Sequence, residues 1–165
     1  MNHAEPATVF LVDDDKFFLK SLEHHLLHTL NTNVHISSYQ NGEECLQHMN
    51  DETGIIVLDY FLNAGNPKAM NGIEALRQIR SLYPKTKVII LSGQENIEVA
   101  IEALKFGASD YVVKNEKAFS KIHDLVRALQ LNKQKKISSR PKLVWIAALI
   151  TLGLLLLFLL ENYRK

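Results

Sequence analysis

Apolar residues along this chain fall in short blocks separated by longer stretches in which they return every three or four positions. Thr8 to Val12, Asn33 to Ser37, Gly54 to Leu58, Lys87 to Leu91 and Asp110 to Val113 read as strands. Lys16 to Leu30, Gly42 to Met49, Gly72 to Leu82, Ile97 to Phe106 and, after the last strand, Phe119 to Leu131 carry helical spacing, as Phe18, Leu22 and Leu26 illustrate. Strand and helix in alternation predict a doubly wound α/β sandwich. Each parallel connection needs a crossover, so helices must cover both faces of a mainly parallel sheet.

A different pattern begins after residue 131. Residues 132–142 hold Lys133, Lys135, Lys136, Arg140 and Lys142 with no acid among them, and Leu143 to Leu160 then runs for 18 residues without a formal charge. As a helix that run reaches about 27 Å, close to the thickness of bilayer hydrocarbon. Its Leu, Ile, Val and Phe residues sum to roughly −4 to −8 kcal/mol on the insertion scale. A buried core helix would show a polar face, and here Thr151 alone interrupts the run. The sequence therefore predicts a globular domain over 1–131, a basic linker over 132–142, a transmembrane helix over 143–160 and a short tail over 161–165. The basic flank places the domain on the cytoplasmic side of a cell (inner) membrane, single-pass, and membrane lipid headgroups are a natural contact for it.

Composition adds exclusions. The 19 basic and 18 acidic residues nearly cancel, so no global field points to nucleic acid. The single cysteine, Cys45, excludes a disulfide framework within one chain. Met1 to Thr8 lacks the basic cluster and long apolar run of a secretory signal.

In doubly wound sheets, sites form beyond the carboxyl ends of the strands. Asp13, Asp14 and Asp15 follow the first apolar block, Asp59 the third, Ser92 the fourth and Lys114 the fifth. Carboxylates about 4 Å apart repel by about 4 kcal/mol at an effective dielectric near 20, so Asp13, Asp14 and Asp59 require a cation. Oxygen ligands with room for water favour Mg²⁺, and Lys114 adds a second positive charge. A metal and a lysine flanking one carboxylate suit a phosphoryl group carried on Asp59. Asp15, just before a helix, reads instead as its cap. Among His24, His25 and His28, positions four apart share a helix face, but no third ligand comes from elsewhere, so they read as a solvated or docking face.

Four blocks, Phe10-Leu11-Val12-Asp13-Asp14-Asp15, Ile56-Val57-Leu58-Asp59, Val88-Ile89-Ile90-Leu91-Ser92-Gly93 and Gly107-Ala108-Ser109-Asp110-Tyr111-Val112-Val113-Lys114, together resemble the receiver domains of two-component response regulators. The resemblance covers residues 8 to about 131. It implies a flavodoxin-like sheet of order 2-1-3-4-5, an order that a member of this family illustrates. It also implies phosphorylation of Asp59 by a histidine kinase or phosphotransfer protein. Asp14 would bind Mg²⁺ directly, Asp13 through water, and Phe61 through its backbone carbonyl. Ser92 would donate to the phosphoryl group, Lys114 would pair with it, and Tyr111 would change rotamer as the loop after the fourth strand moves.

The chain departs from the family in the longer stretch from Asp59 to Gly72, and in Asn115 where a proline in a cis bond usually follows the lysine. The second departure predicts a less rigidly aimed Lys114. Phe61 and Gln94 hold positions at which the family varies its dephosphorylation rate. The expected function is a membrane-anchored phosphoacceptor in phosphorelay signalling, not an enzyme beyond self-phosphotransfer and slow autodephosphorylation. The alternative is a receiver-like docking module that takes no phosphate. A phosphatase would carry an acid two residues after Asp59, where Phe61 stands. Residues 132–142 leave no room for a DNA-binding output domain before the apolar run, so a membrane-protein output partner is expected instead.

Overall fold

Strand and helix alternate as the pattern of apolar blocks requires: β1 (Ala7–Val12), α1 (Lys16–Thr29), β2 (Val34–Tyr39), α2 (Gly42–His48), β3 (Thr53–Asp59), α3 (Gly72–Leu82), β4 (Lys87–Ser92), α4 (Ile97–Lys105) and β5 (Asp110–Val113). Residues 118–131 form a further helix, α5. The structure, a computed structural model, describes residues 7–30, 34–62, 68–93 and 97–131 of the 165. The linker 132–142, the transmembrane helix 143–160, the tail 161–165 and Gln94 all lie outside the described residues. Among the described residues, no helix is long and apolar enough to cross a membrane. The chain divides into two compact units, Met1–Leu129 and Gln130–Lys165, and the sheet belongs to the first.

The five strands form one parallel sheet of order β2-β1-β3-β4-β5. Successive strand residues point to opposite faces, and in the central strands both sets are apolar. Val9, Leu11, Val57, Ile89 and Leu91 pack on one face with Leu22 and Leu26 of α1 and Ile122 and Val126 of α5. Phe10, Val12, Ile56, Leu58 and Ile90 pack on the other with Cys45 of α2, Leu76 and Ile79 of α3, and Ala103 of α4. Removing such large side chains from water, at roughly 1.5–3 kcal/mol each, drives the assembly.

Helix starts are set locally. Asp15 is the N-cap of α1, its side chain accepting from the backbone N–H groups of Phe17 and Phe18. Asn71 and Glu74 form a reciprocal capping box at the start of α3. The boundary that differs most from the sequence pattern is that of β2. It runs on to Tyr39, because Ser38 and Tyr39 still pair with Leu11 and Val12 although their polarity breaks the apolar run.

Candidate functional site

Strand register, rather than any single loop, brings the candidate residues together. Val12 lies opposite Leu58, so the next residues along each strand, Asp13 and Asp59, emerge side by side. Asp59 lies opposite Leu91 and Ser92 opposite Val113, so Ser92 and Lys114 follow at the same end of the sheet. The backbone N–H of Lys114 donates to the Ser92 carbonyl at 2.8 Å, and that of Tyr60 donates to the Leu91 carbonyl, also at 2.8 Å. Both turns are thereby fixed to β4.

The carboxylate oxygens of Asp13, Asp14 and Asp59 lie within 4.8 Å of one another. Asp13 is 1% exposed and Asp59 2%, whereas Asp14 faces solvent. The Lys114 ammonium stands 2.7 Å from Asp13 Oδ2 and 3.0 Å from Asp59 Oδ1. It donates to both oxygens as a charge-assisted pair, and each carboxylate oxygen keeps a further lone pair available. Asp13 Oδ1 accepts from the backbone N–H of Asp15 at 3.0 Å, which orients the carboxylate.

Burial, reinforced by the neighbouring Asp13 charge, pushes the Asp59 carboxyl up to about 6 despite Lys114. Burial likewise raises Asp13, against the pull of Lys114. Burial alone would lower the Lys114 ammonium, but the two carboxylates outweigh it and leave it raised. One lysine does not neutralise this pocket.

The donor set fits a hard divalent cation. It consists of oxygens, two of them buried against the Lys114 ammonium alone of the cations described, and Asp14 leaves an open side for water. Among the described residues it is the sole group of three His, Cys, Asp or Glu side chains so placed. His24 and His28 do share a helix face, with ring centroids 4.2 Å apart, but His25 turns away to Phe119 at 5.6 Å.

The other predicted residues take distinct places. Ser92 is 0% exposed at the end of β4. Tyr111 packs half-buried against the cluster on the α3–α4 face. Phe61 is 42% exposed beside Tyr60, the two rings meeting edge to face at 4.6 Å. Asn115, at the position where the family usually carries proline, caps the turn into α5: its side chain accepts from the Lys117 N–H at 3.0 Å and its carbonyl from the Ala118 N–H at 2.9 Å. Lys114 nevertheless reaches both aspartates.

Three contacts escaped the sequence reading. A Cβ on Gly72 would come within 2.7 Å of the Tyr60 Cα and also meet the Asp59 carbonyl, so glycine is required where α3 begins against the Asp59 turn. Glu43 Oε1 accepts from the Met70 N–H at 2.8 Å, tying α2 to the chain just before α3. The Phe18 ring lies beneath the Lys114 ammonium, 4.8 Å from centroid to Nζ.

The profile of the response regulator receiver domain matches residues 9–127. The chain belongs to the response regulator receiver family. This receiver is 32% identical over 134 residues to the cell cycle response regulator CtrA of Brucella ovis and of Brucella abortus, covering 79% of this chain and 55% of each relative. It therefore spans about half the length of the curated relatives it matches. Among solved structures it is similar to the BeF3-activated DrrB receiver domain (TM-score 0.64, 26% identity, 76% of this chain and 97% of that one). It is also similar to the receiver domain of NtrX from Brucella abortus (TM-score 0.63, 27% identity, 74% and 98%). The acidic pocket of this receiver thus stands at the strand ends expected for the phosphoacceptor site of a two-component system.

Proposed function

We propose that this receiver accepts a phosphoryl group on Asp59 in a two-component phosphorelay, from a histidine kinase or phosphotransfer protein. The observation that carries the reading is the buried pairing of Asp59 and Asp13 around the Lys114 ammonium, with the Asp14 carboxylate beside them. Asp13, Asp14 and Asp59 would hold Mg²⁺, with the Phe61 carbonyl as a further ligand. When bound, the ion neutralises charge on the phosphoryl oxygens and on the carboxylates.

The chain's own groups supply the rest. An Asp59 carboxylate oxygen attacks phosphorus, the bond from phosphorus to the donor breaks, and the donor leaves with the electron pair. Lys114 transfers one of its ion pairs from the carboxylate to the incoming phosphoryl group. Ser92 donates a hydrogen bond to that group, and Tyr111 repacks as the β4–α4 connection shifts. The product is a signal-bearing acyl phosphate, not a released substrate, so the protein is a phosphoacceptor rather than a turnover enzyme. Incubation with acetyl phosphate and Mg²⁺ should give a retarded band on a phosphate-affinity gel for wild type and none for Asp59→Asn. An unretarded wild type would favour the docking module that takes no phosphate.

Phe61, two residues after Asp59 and exposed, would crowd the approach of an attacking water. Phe61→Asn should therefore lose phosphate several-fold faster than wild type. Equal lifetimes, followed after removal of the donor, would reject this role.

The receiver is further proposed to sit on the cytoplasmic face of the inner membrane. The support is the uncharged run Leu143 to Leu160 behind five basic residues, which also offer contacts to anionic lipid headgroups. Output would then pass to a membrane-protein partner, with no nucleic acid bound. The full chain should remain in the membrane pellet through an alkaline wash, and a chain ending at residue 142 should not. Recovery of both in the supernatant would refute the anchor.

A further inference from the structure

Lys114 is the one cation seen in the acidic pocket among the described residues, so what aims it matters as much as what it pairs with. Asn115 comes next in the chain, with no pyrrolidine ring to fix the backbone there. Backbone fixation comes from the Lys114 N–H on the Ser92 carbonyl, which leaves the four-carbon side chain free to choose its own direction. That direction is limited from below by an aromatic surface. The Lys114 Nζ stands 4.8 Å from the Phe18 ring centroid, while its other side meets Asp13 and Asp59 at 2.7 and 3.0 Å. The ring is itself held: Phe119 of α5 meets it edge to face at 5.3 Å, and Phe18 packs half-buried against the α1–α5 cluster. Asp15 fixes the first turn of α1 by accepting from the Phe18 backbone N–H at 3.1 Å. One short segment thus links a metal-site aspartate, a helix cap and the ring under the lysine.

We propose that Phe18 is a positioning residue that acts through Lys114, its π face holding the ammonium over the acidic pocket so that the lysine is already aimed when a phosphoryl group arrives. The ring's negative face attracts the ammonium and is strengthened by partial exclusion of water. The ring meets the Lys114 ammonium on one side and Phe119 on the other, and an aliphatic residue of similar size would fill the same space without the attraction. The inference rests on the receiver reading of Asp59.

The test is a double-mutant cycle on the full chain, comparing Phe18→Leu, Lys114→Gln and the double variant with wild type, using acetyl phosphate as donor. Phe18→Leu should slow phosphorylation at saturating Mg²⁺ and donor by about 3- to 10-fold, and Phe18→Tyr should restore it. In the Lys114→Gln background, Phe18→Leu should cost nothing further. Equal losses in both backgrounds would show a merely structural ring and overturn the proposal. A second measurement needs neither phosphate nor a folded variant: in wild-type protein the Lys114 ε-methylene protons should resonate upfield of those of exposed lysines, shifted by the ring current. Their absence from that position would overturn the contact itself. An upfield shift with no phosphate incorporated by wild type would overturn the receiver reading and, with it, the positioning role.

Discussion

Metal-free protein is expected to grow more stable as the pH falls from 7 towards 4, and the Asp59→Asn variant to lose most of that dependence. The sign comes from the raised carboxyl. Asp59 titrates at about 6 when folded, against 3.8 for the ordinary carboxylate, because of burial first and the Asp13 charge second. Between those values the folded state binds more protons than the unfolded one, so stability falls as the pH rises through that window. Full ionisation of Asp59 at neutral pH then costs about 3 kcal/mol. Asp13, raised by the same burial, acts in the same direction. Asparagine removes the charge while keeping the shape, so Asp59→Asn should melt higher than wild type at pH 7 without metal. Mg²⁺ should stabilise wild type at pH 7 and Asp59→Asn far less, since ligand binding to the folded state adds stability that grows with its affinity. Thermal melts at pH 5 and pH 7, with and without Mg²⁺, measure all of this. Parallel profiles for the two proteins would refute the assignment of the strain to Asp59.

Lys114→Ala should have the opposite effect. Its ammonium faces two carboxylates that are almost wholly buried, and removing it takes from both the one cation that pairs with them among the described residues. Breaking a buried pair from one side costs about 3–5 kcal/mol, because the remaining charge stays buried. The loss should be largest in metal-free protein at neutral pH and should shrink as Asp59 and Asp13 protonate. The ammonium's own raised titration has the usual sign for a cation: its contribution is present below 10.5 and is lost as the pH rises through the higher folded value. Phosphorylated Lys114→Ala should also fail to show the repacking of Tyr111 proposed for the phosphorylated wild type. Melting and tyrosine fluorescence read the two effects separately.

Much of this site was visible along the chain because each acidic or basic residue comes directly after an apolar block. In a parallel sheet the end of a strand is also the end of its apolar run, so Asp13, Asp59, Ser92 and Lys114 mark themselves. Fold class was legible for the same reason: β1, β3 and β4 alternate apolar residues towards two faces, which leaves no side for water. Contacts across elements were concealed. The spacing of Phe18 with Leu22 and Leu26 marks it as core, and it does pack there, but periodicity does not tell which end of a helix overhangs a lysine some 96 positions later. Gly72 looked like an ordinary helix start, although its missing side chain is what lets α3 meet the Asp59 turn. Asn115 reads as a loss of rigidity at Lys114, and the chain does not reveal that its side chain and carbonyl accept the Lys117 and Ala118 N–H groups at the turn into α5. Ser38 and Tyr39 fall outside the apolar run yet belong to β2, because an edge strand needs no continuous apolar run.

The most direct test of a phosphoacceptor at Asp59 is to locate the phosphoryl group itself. The protein treated with acetyl phosphate, with and without Mg²⁺, can be digested in acid and its peptides weighed. An acyl phosphate is expected on the peptide carrying Asp59, formed with Mg²⁺, removed by hydroxylamine and lost when Asp13 or Asp14 is replaced by alanine. Phosphate on another residue, or on Asp59 at the same rate without the metal and without its neighbouring aspartates, would contradict it.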